Sequence, residues 1–192
     1  MSRVFVLNAG SSSLKYRLID LDSGRALAWG LAEGIGTGGR LVHHDEQGAH
    51  AVERSLPDHA TAVAAVLAAC PLGGVAAVAH RVVHGGERFR VPVVVDDGVL
   101  ADIRALSVLA PLHNPAGVAG IELARRALPA VPHVAVFDTA FHHTLPARAH
   151  TYAVPRGWGA HSRTPTSSCC TWATARARRR SPAAAASTPP WA

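Results

Sequence analysis

Two apolar runs flank the small-residue turn Ala9-Gly10-Ser11-Ser12-Ser13 in Val4 to Asp20, VFVLNAGSSSLKYRLID, and from Leu14 onward the residues alternate. Leu14, Tyr16 and Leu18 fall on one side and Lys15, Arg17 and Ile19 on the other, which is a strand period. The unit predicted is strand–turn–strand. Arg25 to Glu33 supplies a third strand, and Leu41 to Ser55 a further ribbon broken at Gly48. Pro57 to Cys70 reads as a helix with Asp58 in its first turn and Val63, Val66 and Leu67 on one face. Val75 to Val83 is rich in valine and alanine, as a buried strand is, and ends in His84-Gly85-Gly86-Glu87.

The same periodicities predict a short strand at Val93–Val95, a helix from Gly98 to Leu109 and a stiff connector from Pro111 to Pro115. Asn114 is expected to N-cap the next helix, with Pro115 at its first position. That helix runs to Leu128, with Val118, Ile121 and Leu128 inward and Glu122–Arg126 as an i,i+4 pair. His133 to Phe137 forms the last strand and delivers Asp138-Thr139 at its C-terminal edge, where open α/β sheets collect ligands.

Composition adds little to this until its distribution is considered. No apolar run of the 192 residues reaches the ~18 needed for a membrane span, and Met1-Ser2-Arg3 leads directly into a strand, so a soluble, cytoplasmic protein without a membrane partner is expected. Three cysteines, two of them the adjacent Cys169 and Cys170, suit reduced thiols better than a disulfide framework or a metal knuckle. The net charge of +6 invites a nucleic-acid reading, yet every acidic residue lies at or before Asp138, and up to Pro155 the charges balance. Arg156, Arg163, Arg176, Arg178, Arg179 and Arg180 carry the whole excess. Residues 156–192 contain no Leu, Ile, Val, Met, Phe or acid, and are expected to be a disordered tail without a nucleic-acid role.

A turn such as Gly10–Ser13 can offer backbone N–H groups, hydroxyls and the ammonium of Lys15 to a phosphate. The GxxxxGK[ST] pattern that opens a helix onto phosphates is absent, so the grip would be a hairpin. Standing alone, the stretch reads first as a Ser/Gly-rich turn with no ligand. His80 and His84 form no metal pair, because four strand steps of ~3.3 Å separate them by ~13 Å.

Four blocks occur in order: NAGSSSLK at the first turn, HRVVHGGERF from His80, LAPLHNPAG from Leu109 and VFDTAFHHTLP from Val136. In these blocks the chain, over about residues 3 to 155, resembles the acetate kinase family. The resemblance implies an α/β, ribonuclease-H-like domain of the actin-like ATPase superfamily, with a mixed sheet and flanking helices. It also implies reversible transfer of the ATP γ-phosphoryl group to acetate with Mg²⁺, and a homodimer for the full-length family. A carboxylate nucleophile is already ionised at neutral pH, so such chemistry needs alignment and charge neutralisation rather than a general base.

Carried over by that resemblance, Arg81 and Asp138 are the catalytic candidates. Arg81, Val83, Leu112 and His113 are the acetate-binding candidates, Val83 and Leu112 as a small apolar wall for the methyl group. Ser11, Ser13 and Lys15 face the nucleotide phosphates, and Asn8 lies near Mg²⁺. Alternation places Lys15 opposite Leu14 and Tyr16, which allows it to point away. Asp138 would repel both substrates unless a cation intervenes, so holding metal-bound water or orienting an arginine is its expected task. His142 and His143 match the family but suggest only a structural part.

The genetic code bears on the tail. Cys169 to Ala175 must be encoded TGY TGY ACN TGG GCN ACN GCN; dropping two bases allows Leu-His-Leu-Gly-Asn-Gly, a nucleotide-side block of the family. The same shift at Ser187 to Ala192 allows Asp-Thr-(Ser/Thr)-Met-Gly, another family block. We therefore expect a native domain over 1–155 and an out-of-frame segment over 156–192. By itself such a chain should be catalytically inactive, at most a weak phosphate-binding module.

Overall fold

The computed structural model describes residues 2–146 and Ala149. The chain divides into two compact units, Met1–Thr144 and Leu145–Ala192, and the sheet and all four α-helices described belong to the first. The boundary expected at Pro155, and the whole of 156–192, lie outside the described residues.

The opening alternation becomes β1 (Arg3–Ala9) and β2 (Ser13–Asp20), antiparallel, with Asn8 opposite Lys15 and Ala9 opposite Leu14. β3 (Ala26–Glu33), β4 (Arg40–Asp45) and β5 (Gly48–Glu53) continue the meander. Gly30 of β3 has no space for a Cβ, which would sit 2.2 Å from the Val42 carbonyl oxygen and 2.4 Å from Tyr16 Oη. Tyr16 thereby crosses to β4 and bonds His43 Nδ1 at 2.7 Å in the interior.

α1 (His59–Ala69) follows, N-capped by Asp58, whose carboxylate accepts from the Thr61 amide at 2.7 Å. It buries Ala62, Val63, Ala65 and Val66, while Leu67 is only half-buried. β6 (Val75–Val82) then lies parallel to β1, and β8 (His133–Phe137) parallel to β6. β7 (Val93–Val94) pairs antiparallel to β8 at the edge, giving one mixed eight-stranded sheet in the order β5-β4-β3-β2-β1-β6-β8-β7.

α3 (Asn114–Ala127) packs against α1, β1 and β6, so these two helices cover one face of the sheet. Phe5, Leu7, Leu14, Leu18, Val66 and Val78 fill that layer, and a second cluster around Phe137, Val82, Ile103 and Ile121 lies under α2 (Asp97–Ala105). The opposite face, which carries Lys15, Arg81 and Val136, is exposed or half-exposed.

Three local expectations are corrected. The helix expected over Gly98–Leu109 ends at Ala105 and tightens into a 3₁₀ turn, Leu106–Val108, before the proline connector. Asn114 does not cap α3: His113 stands at the cap position without a side-chain bond, because the Asn114 amide is buried and engaged elsewhere. Glu122 does not pair along its helix with Arg126; it reaches Arg104 of α2, so tertiary proximity wins over a helical pair worth only ~0.3–0.5 kcal/mol.

α4 (Asp138–His142) is a single short turn after β8. His142 and His143 are exposed, with Phe141 against the edge of the His142 ring.

Candidate active site

Because β1, β6 and β8 are parallel, their C-terminal ends open on the same edge of the sheet. β1 delivers the Gly10–Ser13 turn there, β6 the His84-Gly85-Gly86 loop, and β8 Asp138 and Thr139. The register places Lys15 beside Asn8, and Arg81 beside Val136. Leu7 pairs with His80, so Asn8 and Arg81 are neighbours one step on. The side opposite the buried Leu14 and Tyr16 is thus the side that carries Asn8 and Arg81, and Lys15 shares it.

Arg81 is the centre of this row. Its Nε donates to Asp138 at 2.9 and 3.1 Å, its Nη2 to Asp138 Oδ2 at 2.7 Å, and its Nη1 to Asn8 Oδ1 at 3.3 Å. A guanidinium held on two sides is fixed in plane and still half-exposed. The hydrogen-bonded Asp138 carboxylate raises the guanidinium above its ordinary value, against some loss from burial, so the cation is permanent. The Asp138 carboxylate thus holds the guanidinium along its Nε–Nη2 edge.

The loop after β6 is fastened from two elements. Asn114 Oδ1 accepts from the His84 amide at 3.2 Å and its Nδ2 donates to the His84 carbonyl at 3.0 Å. Thr139 Oγ1 accepts from the Gly85 amide at 2.9 Å. The Gly86 amide donates to His84 Nδ1 at 3.0 Å, which leaves the ring proton on Nε2, and burial lowers that imidazole below its ordinary value. Gly85 meets Phe137 and the Phe89 carbonyl where a Cβ would stand, both at 2.9 Å, so the loop passes too close to the core for any side chain. Gly86 adopts φ +60, in the left-handed region.

The Gly10–Ser13 turn is closed by the Gly10 amide on the Ser13 carbonyl at 2.8 Å. Ser11 and Ser12 are exposed and Ser13 is half-buried. Val83 is half-buried, Leu112 is 76 % exposed and His113 is exposed. Neither apolar residue is core, and Arg81, Asp138 and Asn8 are the only site candidates joined by side-chain bonds among the described residues.

Sequence reasoning did not find the parts played by Asn114, Thr139 and His59. The first reads as a cap and the second as a bystander to Asp138. His59 lies 49 positions from its partner, Gly10, and nothing in the local pattern signals that contact.

No three His, Cys, Asp or Glu groups are placed to hold a metal ion among the described residues. The donors available at the edge are one carboxylate and one amide oxygen, both facing a guanidinium. That set suits a hydrated Mg²⁺ carried in on phosphate oxygens rather than a protein cage. A shallow depression of about 450 Å³ lined by Arg125, Arg126, Pro129 and His133 lies at the other end of β8, and so is remote from this chemistry.

Fold and edge together define an α/β domain that gathers Asn8, Lys15, Arg81 and Asp138 at the C-terminal ends of its parallel strands. Residues 3–163 match the Acetokinase family, and the chain belongs to that family. It is 50% identical over 163 residues to acetate kinase of Thermotoga maritima, covering 80% of this chain and 40% of that protein. Its structure resembles the crystal structures of Porphyromonas gingivalis acetate kinase, with a TM-score of 0.73 and 38% identity over 82% of this chain, and of a propionate kinase from Francisella tularensis, with 0.72 and 37% over 81%. These matches take in 42% of each solved chain. The chain therefore spans about 40% of the length of the relatives it matches. The ribonuclease-H-like mixed sheet implied by the four sequence blocks is the fold observed.

Proposed function

We propose that this chain supplies the carboxylate- and phosphate-facing part of an acetate kinase, an enzyme that moves the ATP γ-phosphoryl group reversibly to acetate. An acetate oxygen forms a bond to phosphorus while the bond to the β-bridging oxygen breaks, and that oxygen leaves with the electron pair as ADP. The observation that carries this reading is the Arg81 guanidinium, fixed between Asp138 and Asn8 yet open on the sheet's free face. Its exposed N–H edge neutralises charge on the acetate or the transferring group, while Asp138 holds its plane. Ser11, Ser13 and Lys15 face the nucleotide phosphates, and Val83, Leu112 and His113 border the acetate. Mg²⁺, when bound, offsets charge on the nucleotide oxygens near Asn8 and Asp138.

Chemical-shift titration of the full chain with acetyl phosphate and, separately, with MgADP tests this. Arg81 Nε–H should respond to the first and the Ser11 and Ser13 amides to the second. Arg81→Ala should weaken acetyl phosphate ~10- to 100-fold, the size of one or two charge-assisted bonds. Responses confined to residues away from this edge would refute the reading. The chain on its own should bind without turning over, so hydroxamate trapping with ATP, Mg²⁺ and acetate should not rise above the no-enzyme control.

A further inference from the structure

The Gly10–Ser13 turn is held from behind by a residue that no catalytic motif contains. His59, the first residue of α1, places Nε2 2.7 Å from the Gly10 carbonyl oxygen. A carbonyl only accepts, so the ring nitrogen donates and carries its proton. The Ser12 carbonyl is held in the same manner by the Ile35 amide at 3.1 Å. In a trans peptide the C=O of one residue and the N–H of the next point in opposite directions. Fastening the Gly10 carbonyl toward α1 therefore turns the Ser11 N–H away from α1, and fastening the Ser12 carbonyl to Ile35 turns the Ser13 N–H away from Ile35.

The brace has a rigid base. α1 is N-capped by Asp58 and packs on β2 and β4, with Ala62 and Val66 wholly buried. The turn itself has little else to fix that first peptide plane. Gly10 lacks a Cβ, Ser11 is exposed, and the Ser11 amide has no partner among the described residues. Without the imidazole, the Gly10–Ser11 peptide is free to rotate and its N–H to leave the direction a phosphate oxygen needs.

We propose that His59 is a positioning residue for nucleotide phosphate: it presets the Gly10–Ser11 peptide so that the Ser11 N–H is a ready donor. This rests on the reading of the turn as phosphate-facing given above. Its contribution is orientation, so it should affect phosphate binding far more than acetate binding at Arg81.

The experiment uses the full chain, ¹⁵N/¹³C-labelled, with MgADP as the probe, as wild type and as two variants, His59→Leu and His59→Gln. Leucine fills space without donating, whereas a glutamine amide can donate to the same carbonyl. In the ligand-free protein, His59→Leu should shift the Gly10 carbonyl carbon and the Ser11 amide, and His59→Gln should leave them closer to wild type. MgADP should bind His59→Leu about 5- to 10-fold more weakly, the worth of one preset donor, with glutamine recovering most of it. Acetyl phosphate affinity should be unchanged in both. If wild type responds to MgADP at Ser11 and His59→Leu responds equally, the role of His59 is overturned and the phosphate-facing reading stands. If wild type shows no response at this turn, both are overturned. Equal weakening of MgADP and acetyl phosphate would mark a general loss of structure and also overturn the assignment.

Discussion

Replacing Asn114 with alanine removes two hydrogen bonds at once and leaves their partners in place. Asn114 is 1 % exposed, and its amide group satisfies both the N–H and the C=O of His84, itself buried. An orphaned buried backbone group costs about 1–3 kcal/mol, so the pair bounds the loss at roughly 2–6 kcal/mol. The loop runs on to the half-buried Gly86, where water can reach, so the lower half, about 2–4 kcal/mol, is expected. With a urea slope of about 2 kcal/mol/M, the unfolding midpoint should fall by about 1–2 M. Val108→Ala, at a site 82 % exposed, is the control and should shift stability by less than about 0.5 kcal/mol. A loss below about 1 kcal/mol for Asn114→Ala would mean that the His84 backbone finds other partners, and the account of Asn114 as the clamp between β6 and α3 would be wrong.

The remaining predictions are independent of that clamp. The Leu128 carbonyl accepts from His133 Nε2 at 3.0 Å, so a neutral His133 presents Nδ1 as the acceptor for His80 Nε2–H at 2.9 Å. Burial, with His133 alongside, pushes His80 down to about 3 from 6.5, and burial lowers His133 too. Below pH 6.5 the unfolded chain therefore binds more protons than the folded one, and stability falls as pH drops toward 3. The slope should be about 1.4 kcal/mol per pH unit from His80 alone; urea midpoints at pH 7, 6 and 5 measure it, and His80→Leu should flatten it. Gly30→Ala should cost about 1–3 kcal/mol by driving Tyr16 off His43, lowering the melting temperature by several degrees; an unchanged melt would count against the close strand approach. Sequencing the DNA under Cys169–Ala192 should reveal Leu-His-Leu-Gly-Asn-Gly and Asp-Thr-(Ser/Thr)-Met-Gly in the shifted frame; any other shifted words sink the out-of-frame proposal.

Strand period and glycine placement made much of this fold legible. β2 emerges with Leu14, Tyr16 and Leu18 buried and Lys15 outward because alternation is a property of the strand alone. What alternation cannot say is which side the chemistry occupies. Lys15 looked turned away when judged against Leu14 and Tyr16, yet Arg81 arrives on its side from a strand 66 positions on, by parallel pairing of β6 with β1. Asn114 shows the same limit in a polar side chain. At a helix start its amide can cap locally or reach outward, and the buried His84 backbone, an obligatory pair of polar groups, decided in favour of the second. His59 was illegible for a related reason: a carbonyl 49 positions away chose it. The four sequence blocks supplied the candidates; the bonds that join Asn8, Arg81 and Asp138 belong to the tertiary fold.

Charge at the edge explains why binding without turnover is the expected behaviour. Lys15 and Arg81 face the open side, and Asp138 offsets one of them, so this row presents a net charge of about +1. A nucleotide carrying Mg²⁺ and an acetate together bring roughly three negative charges to one place. The Ser11 amide and its neighbours soften that imbalance with partial charges but do not remove it. In the proposed reaction the two anions must meet in line, and a row of about +1 attracts each of them but leaves most of their mutual repulsion uncompensated. On the acetate kinase function proposed above, further cationic groups are expected to close on the edge before the acetate oxygen reaches the γ-phosphorus. If hydroxamate nonetheless accumulated with this chain alone, the missing charge would have to come from residues already on it, and Arg81 with Lys15 would be too few to account for the chemistry.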